Sequence, residues 1–346
     1  DILETLKQLP PLESLDFMLR PNQRGVLLAA QWLAHILSSQ HVRLRNLVAP
    51  SMALSIGLTL RTLNTGSTDS ANSTTTYRSV RHISLVSLVK WGYPEVGFTH
   101  EMAQAFPNVS YIRSDDRPTA GLETSLANLR YLQIPSDFPP AQIFLSSPFL
   151  SALALTKPIG SDFLRTWSSP QLTALRVEHD LDMDASTTVA LMGELFPELR
   201  SLDACVAVQR PTELQQVFKS HNPCRLHTQE IHSTLPKLKS LTIRWKTSAR
   251  SDVQIINLDA VKQLATSHPL LEVVRVCQKL VNYNAAVGIN MTRFWNYMAW
   301  RVDMRNGQGS GDVRSVLWSD ACTLAQLLVP SLAGILPPWY QDEAFA

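Results

Sequence analysis

The densest cluster of metal-ligand side chains in the chain is the segment HNPCRLHTQEIH, residues 221 to 232. Imidazole nitrogens and a cysteine thiolate are the usual ligands of tetrahedral zinc sites. The spacing H-x2-C-x2-H-x4-H differs from that of the common zinc motifs, so a polar loop is the favoured interpretation and a zinc-dependent enzyme the least favoured function. The weak metal candidates are His221, Cys224, His227 and His232.

Two further segments have suggestive composition but the wrong spacing. The acidic stretch HDLDMDAS would form a calcium loop only with glycine at 185 and glutamate at 191, where alanine and leucine stand. The glycines of NGQGSGD, residues 306 to 312, do not follow the dinucleotide-binding pattern, and no G-x-S-x-G nucleophile elbow occurs. The sequence therefore predicts no catalytic residue, no cofactor and a non-enzymatic protein.

The composition indicates a globular protein without a strongly charged partner. Hydrophobic residues make up 45% of the 346 residues and charged residues 17%, with a formal net charge of +2. This charge is too small to predict nucleic-acid binding. The four cysteines have irregular spacing and no C-x-x-C pair, which favours a reducing compartment, cytoplasmic or nuclear. The apolar stretch ACTLAQLLVPSLAGILPP is short and interrupted by Pro330, so it does not predict a membrane span.

One nine-residue pattern recurs along the chain, as in LANLRYLQI, SPFLSALAL, SPQLTALRV, FPELRSLDA and LPKLKSLTI. Aligned on L-x-x-L-x-h, where h is apolar, ten such phrases can be found. The intervals from Leu129 to Leu150 and from Leu150 to Leu172 are 21 and 22 residues, within the 20 to 29 residues of a leucine-rich repeat. The first positions are Leu12, Leu44, Val80, Val109, Leu129, Leu150, Leu172, Leu199, Leu238 and Leu271.

Each phrase predicts one short strand, because its last two apolar residues are two positions apart, the period of a strand with one buried face. A proline before the phrase harms no sheet hydrogen bond and ends the preceding helix. Such strands must stack to bury their apolar sides, which predicts an α/β solenoid, a horseshoe with a parallel sheet of short strands on its concave face and helices and irregular segments outside.

The intervals between phrases predict helices and one insertion. Residues 24–39, 100–106, 184–196, 212–220 and 257–267 have helical patterns. Residues 63–78 are rich in Ser, Thr and Asn and predict a flexible insertion. Residues 292–305 carry apolar residues at helical spacing and, with 318–336, predict a helical cap. The predicted domains are a repeat array over 1–280 and a cap with a tail over 281–346.

With its phrases aligned, the chain resembles irregular leucine-rich-repeat proteins of the fungal F-box type, in which P-x-L-x-x-L-x-h units of uneven length follow a short F-box. The resemblance covers about residues 8 to 280. It implies the substrate-binding repeat region of a ubiquitin-ligase receptor. No F-box-like segment occurs in this chain, so an F-box that docks the ligase adaptor would lie before residue 1. The alternative is a repeat scaffold or regulatory protein without a ubiquitin link.

In such a sheet, the residues between the buried positions form the concave face, where a protein substrate or peptide would bind. Tyrosine and arginine are frequent among these residues and dominate protein interfaces. The loops are an alternative binding surface. The predicted partner-binding residues are Tyr111, Arg113, Tyr131, Gln133, Arg176, Glu178, Asp203, Arg244 and Arg275.

Overall fold

The protein is represented by a computed structural model of the 346-residue chain. The structure describes residues 12–17, 23–38, 43–64, 76–117, 126–135, 147–156, 165–166, 168–177, 185–205, 235–246, 258–282, 292–303 and 312–327. These residues form two compact units, the first ending at Leu150 and the second beginning at Ser151. The predicted division at residue 280 stays a prediction.

The prediction that each phrase forms one strand is confirmed, and the chain is an α/β protein. The ten phrase strands are β1 (Ser14–Asp16), β2 (Asn46–Pro50), β3 (His82–Val86), β4 (Tyr111–Ser114), β5 (Tyr131–Ile134), β6 (Ala152–Leu155), β7 (Ala174–Val177), β8 (Ser201–Cys205), β9 (Ser240–Lys246) and β10 (Val273–Asn282). Two strands outside the phrases follow them, β11 (Thr292–Asp303) and β12 (Asp312–Ser315).

Within each unit, neighbouring phrase strands pair in parallel and align their central apolar residues. In the first unit, β1 to β5 bring into register Leu15, Leu47, Ile83, Ile112 and Leu132. In the second unit, β6 to β10 bring into register Leu153, Leu175, Leu202, Leu241 and Val274. Apart from Leu15, these side chains are buried to 98% or more. These aligned, buried apolar residues are called the buried ladder below. Strands that pair in chain order and share such a ladder are compatible with a solenoid.

A tight turn precedes the strand of most phrases and explains the recurrent proline. The amide of the first phrase residue donates to the carbonyl three residues earlier, as in Leu129 to Leu126 at 2.9 Å and Leu172 to Ser169 at 3.4 Å. Proline takes the second position of six such turns, where its fixed φ is favourable. Proline therefore shapes the turn, in addition to its predicted role of ending the preceding helix. These prolines are Pro107, Pro148, Pro170, Pro197, Pro236 and Pro269.

Within each unit, a shared backbone carbonyl fixes a phrase strand against the phrase strand before it. The carbonyl of Arg81 accepts hydrogen bonds from the amides of Ser110 at 2.8 Å and Tyr111 at 3.0 Å. A carbonyl oxygen has two lone pairs, so this one acceptor satisfies two amides. The same arrangement recurs at the carbonyls of Glu13, Arg45, Ser110, Ser151, Thr173, Arg200 and Lys239. The junction between successive strands is thus built in the same way in both units.

Helices occupy several of the intervals between strands. They are α1 (Gln23–Ser38), α2 (Ser51–Asn64), α3 (His100–Ala105), α4 (Ala185–Leu195), α5 (Leu258–Ser267) and α6 (Trp318–Leu327), with a 3-10 turn at Val89–Trp91. Four of the predicted helices are confirmed within two residues at each end, and residues 212–220 lie outside the described residues. Among the described residues, none of these helices has the length and apolar composition needed to cross a membrane.

Helix α2 was not predicted, because glycine and β-branched or hydroxyl residues dilute its apolar pattern. It packs closely on α1 at Gly57, where a Cβ atom would lie 2.9 Å from the carbonyl oxygen of Ala30. Its last residues are Leu63 and Asn64, and Tyr77 begins the turn that leads to β3. Of the predicted insertion at 63–78, residues 65–75 lie outside the described part of the chain.

The prediction of a helix over 292–305 was wrong. Residues Thr292–Asp303 form β11, which pairs antiparallel with β10 and then with β12. The deciding feature is that Met298, Trp300 and Val302 stand at alternate positions. In β11 they lie on the same side of the sheet as the buried residues of β10, where Trp300 is paired with Val274. Pairing supplies β10 with a neighbour, as an open sheet edge requires. Only α6 provides the predicted helical covering in the described residues.

Candidate functional site

The candidate site lies on the strand face, defined here as the side of the strands opposite the buried ladder. In the second unit, strand register places four polar side chains in one row on this face, one from each of β7, β8, β9 and β10. Side chains at directly paired positions point to the same side of a sheet. The row consists of Arg176, Asp203, Thr242 and Arg275. Three of these residues were predicted.

An ion pair joins the first two members of this row. The Nε atom of Arg176 lies 3.7 Å from Oδ2 of Asp203, and the two side chains are only 15% and 17% exposed. Removing charges from water carries a desolvation cost, which the attraction between the two opposite charges offsets in part. The row thus holds a fixed, partly buried pair of opposite charges beside Thr242.

Two hydroxyl groups on β9 have no hydrogen-bond partner among the described residues. Ser240 and Thr242 are two residues apart, so their side chains lie on the same side of the strand. Both residues are buried, Ser240 to 0% and Thr242 to 2% exposure, and neither hydroxyl oxygen makes a hydrogen bond within the part of the chain that the structure describes. A buried polar group without a partner is costly, and a function is one explanation for its retention. Sequence reasoning missed Ser240 because a serine at the start of a strand is common.

Helix α6 packs against the same face at one end of the row. Its residue Ala321 forms an apolar cluster with Val273 of β10 and Ala299 of β11, flanked by Val316 and Leu324. Val273 pairs with Ser240, and Ala299 pairs with Arg275. The polar group of Ser240, Thr242 and Arg275 therefore borders an apolar wall.

The two predicted tyrosines lie on the strand face of the first unit, and both are buried there. Tyr111 and Tyr131 are 0% and 3% exposed. Their rings stack at a centroid distance of 4.4 Å and an angle of 5°. The prediction that they are exposed anchors for a partner is therefore corrected: stacking between adjacent strands buries both rings, and they stabilise the face rather than project from it.

His82 extends this aromatic row. Its ring meets Tyr111 edge-on at 5.7 Å, and its Nδ1 atom bonds with Oδ1 of Asn46 on β2. Burial lowers the pKa of His82 from 6.5 to about 4, so the imidazole is neutral at physiological pH. Neither His82 nor Asn46 was predicted, although both occupy strand-face positions in their phrases.

The remaining polar residues predicted on this face differ in accessibility. Gln133 is buried, and its Oε1 atom accepts a hydrogen bond of 3.1 Å from the Tyr131 hydroxyl. Arg113 is partly exposed at 26%, with its Nε atom 3.7 Å from Oδ1 of Asp115. Of these two residues only Arg113 presents a charge toward solvent, so the accessible predicted residues are fewer in the first unit than in the second.

Several predicted residues lie outside the described part of the chain. These are Glu178 and the whole zinc candidate, His221, Cys224, His227 and His232. Arg244 belongs to β9 and its backbone pairs with Cys277. The partner-binding role of Glu178 and Arg244 and the metal-binding role of the zinc candidate stay predictions.

Asp116 carries a buried carboxylate outside the strand face, and the contacts of this carboxylate indicate a structural role. Oδ2 of Asp116 accepts hydrogen bonds from the Ser51 hydroxyl at 2.8 Å and from the Val96 amide at 3.4 Å. Asp116 and Ser51 are 2% and 1% exposed. Because Ser51 begins α2, the carboxylate links that helix to the segment after β4. This pair positions the framework and is closed to a substrate.

Neither a family model nor a curated protein sequence matches this chain.

Proposed function

We propose that this chain is a non-enzymatic recognition module that binds a protein partner on its strand face. The observation that carries the proposal is the in-register row of Arg176, Asp203, Thr242 and Arg275 across four neighbouring parallel strands. A row of this kind spans about 14 Å, given strand spacings of about 4.8 Å. That width suits an extended peptide or a small patch of a folded protein.

The residue types of the row favour recognition over chemistry. Arginine is common at the centre of protein interfaces because its planar guanidinium donates several hydrogen bonds at once. Partial burial of Arg176 and Asp203 holds their geometry in place before a partner binds.

We also propose that the array is a leucine-rich-repeat solenoid. Three features support this identity: the buried ladder of the phrases, the turn before the strand, and the carbonyl shared between successive strands. All three recur in both units. The concave shape of the strand face is part of this proposal.

The more specific role, substrate receptor of an F-box type ubiquitin ligase, rests on the resemblance of the phrases to those of fungal F-box repeat proteins. Capture with the full-length parent protein tests this role. Recovery of a ligase adaptor and a cullin is the expected result, and their absence from a capture that retains another partner would favour a scaffold or regulatory protein.

The recognition role is tested by comparing capture by the unchanged chain with capture by two arginine variants. The strand-face variant R176A/R275A removes two guanidiniums from the row. The control variant R45A/R81A removes the same charge from exposed positions before β2 and β3. The expected result is a protein retained by the unchanged chain and the control but lost by the strand-face variant.

Partners captured equally by all three proteins would contradict the proposal. R275A alone serves as a second variant, because R176A removes the guanidinium beside Asp203 and can lower stability. Thermal unfolding of each variant establishes that the captured material is folded.

A further inference from the structure

We propose that the first unit carries a second binding surface, a row of arginines at the N-terminal ends of its strands, which binds an acidic segment of a protein through carboxylate groups. This surface lies in a different unit from Arg176 and Arg275 and goes beyond the recognition role proposed above. The basic row is defined here as Arg45, Arg81 and Arg130, with Arg43 and Arg78 beside it.

The shared carbonyls align the basic row. The amide of Arg81 donates to the carbonyl of Arg45 at 2.8 Å. The next two steps are the amide of Ser110 on the carbonyl of Arg81 at 2.8 Å, and the amide of Arg130 on the carbonyl of Ser110 at 2.9 Å. These four residues occupy the same phrase position, directly before β2, β3, β4 and β5. A strand spacing of about 4.8 Å therefore separates Arg45 from Arg130 by about 14 Å.

The arginines of this surface are all exposed, so a partner can reach them. Hydrogen bonds also tie Arg81 to the neighbouring turn. Its Nη1 atom donates to the carbonyl of Asn108 at 2.8 Å, and the side-chain amide of Asn108 donates to the carbonyl of Arg78 at 3.1 Å. The turns before β3 and β4 are thus joined, which holds this part of the row in place before a partner binds.

Carboxylates of the described residues do not balance these charges. Within that part of the chain, no carboxylate oxygen lies within 4.0 Å of the side-chain nitrogens of Arg43, Arg45, Arg78 or Arg81. Glu13 is the acidic residue at the same phrase position before β1, and it makes no ion pair with them. Adjacent like charges repel each other, so folding alone does not favour Arg45 beside Arg81. A bound anion relieves this repulsion.

The second unit shows that the phrase position does not itself require clustered arginines. The Nζ atom of Lys239 lies 3.2 Å from Oε1 of Glu272, so the neighbouring charges of that unit are of opposite sign and paired. The first unit lacks such a pair between the neighbours Arg45 and Arg81. The equivalent residues of the second unit are Ser151, Thr173, Arg200, Lys239 and Glu272.

The layout of the basic row favours a series of carboxylates. Its arginines come from separate strands along a line, and each guanidinium fork matches one carboxylate. A phosphate group, which carries a charge of about −1.5 to −2, is better suited to arginines that converge on it. The rings of Tyr111 and Tyr131, which follow the row in β4 and β5, are buried and cannot stack on the bases of a nucleic acid.

The test is fluorescence anisotropy of a fluorescein-labelled hexaglutamate peptide titrated with the whole chain, with labelled hexaglutamine as the uncharged reference. We expect saturable binding of hexaglutamate that weakens as the salt concentration rises. In the variant R45A/R81A the affinity should fall at least about fivefold, as expected for the loss of two exposed charge pairs. Because both positions are exposed, thermal unfolding of this variant should show a temperature equal to or above that of the unchanged chain.

R200A/K239A is the matched control, because it removes the same charge from the equivalent positions of the second unit. It should bind hexaglutamate like the unchanged chain. R176A/R275A should also bind hexaglutamate normally, and R45A/R81A should keep the strand-face partner, because the two surfaces lie in different units. Failure of this proposal is therefore distinguishable from failure of the strand-face proposal.

Absence of saturable hexaglutamate binding, or an equal loss of affinity in R45A/R81A and R200A/K239A, would overturn the inference. A labelled oligonucleotide of six thymidines separates carboxylates from phosphodiesters as the ligand. Weaker binding of this oligonucleotide than of hexaglutamate is the expected result, and tighter binding would overturn the assignment to an acidic protein segment.

Discussion

Mild acid is expected to destabilise this chain through His82, which lies between Asn46 and Tyr111 on the strand face of the first unit. Burial lowers its pKa to about 4 in the folded chain, whereas an unfolded chain has the ordinary value of about 6.5. Between these two values, the unfolded chain binds a proton that the folded chain does not. The free energy of unfolding therefore falls as the pH decreases from about 6.5 to about 4.

The magnitude follows from the two pKa values. Between pH 7 and pH 5, the difference in proton binding integrates to about 1.9 kcal/mol for the full shift. Because His82 is only partly buried, water screens part of this effect, and we expect about 1 kcal/mol. Burial also lowers the pKa of His268, so the effect of His82 must be measured as a difference between variants.

The assay is urea unfolding at pH 7 and pH 5 of the unchanged chain, H82Q and the control H100Q, which replaces an exposed histidine of α3. H82Q should lose about 1 kcal/mol less than the unchanged chain on acidification, while H100Q should behave like the unchanged chain. Equal losses in H82Q and the unchanged chain, or an NMR titration of His82 with a midpoint of 6 or above, would refute the reasoning.

Three further predictions concern stability, each measured by urea unfolding. G57A should destabilise the chain by about 1 kcal/mol, because the new Cβ would lie 2.9 Å from the backbone oxygen of Ala30 and overpacking outweighs the gain in helix propensity; an increase in stability would mean that α1 and α2 can separate freely. A double-mutant cycle of Y111L and Y131L should give a coupling energy of about 0.5–1.5 kcal/mol for their stacked rings, and additive effects would contradict the stacking. D116A should cost about 1–3 kcal/mol by removing the acceptor of two hydrogen bonds, and a neutral effect would mean that water replaces the carboxylate.

The strands could be predicted from the sequence because the phrase encodes them locally. Apolar residues at alternate positions recur in nearly every phrase strand, and a preceding turn, in six phrases with proline at its second position, marks most of them. The helix α2 was missed because its pattern is diluted, and β11 was misassigned because Phe294, Met298 and Val302 fit a helical period as well as an alternating one. Pairing with β10 decided between the two, and pairing is not a local property.

The candidate site could be predicted only in part. Alternation in the phrase placed Arg176, Asp203 and Arg275 on the strand face, and strand register aligned them with Thr242. The burial of Tyr111 and Tyr131 could not be predicted, because it depends on the two rings meeting across β4 and β5. A tyrosine occupies the same position in the phrase whether its ring is exposed or stacked on a neighbouring ring, so the sequence pattern does not distinguish the two cases.

The shared carbonyl between successive strands bears on how such a chain can change over evolutionary time. Within each unit, a phrase strand is held by the carbonyl oxygen of the residue just before the preceding phrase strand, as Tyr111 is by Arg81, and most phrase strands also follow a tight turn. The length of the connecting chain does not enter this arrangement, which is why phrases 20 to 39 residues apart have equivalent junctions. Duplication of a phrase, or growth and loss of residues between phrases, can therefore alter the connecting segments while the strand-face residues keep their spacing.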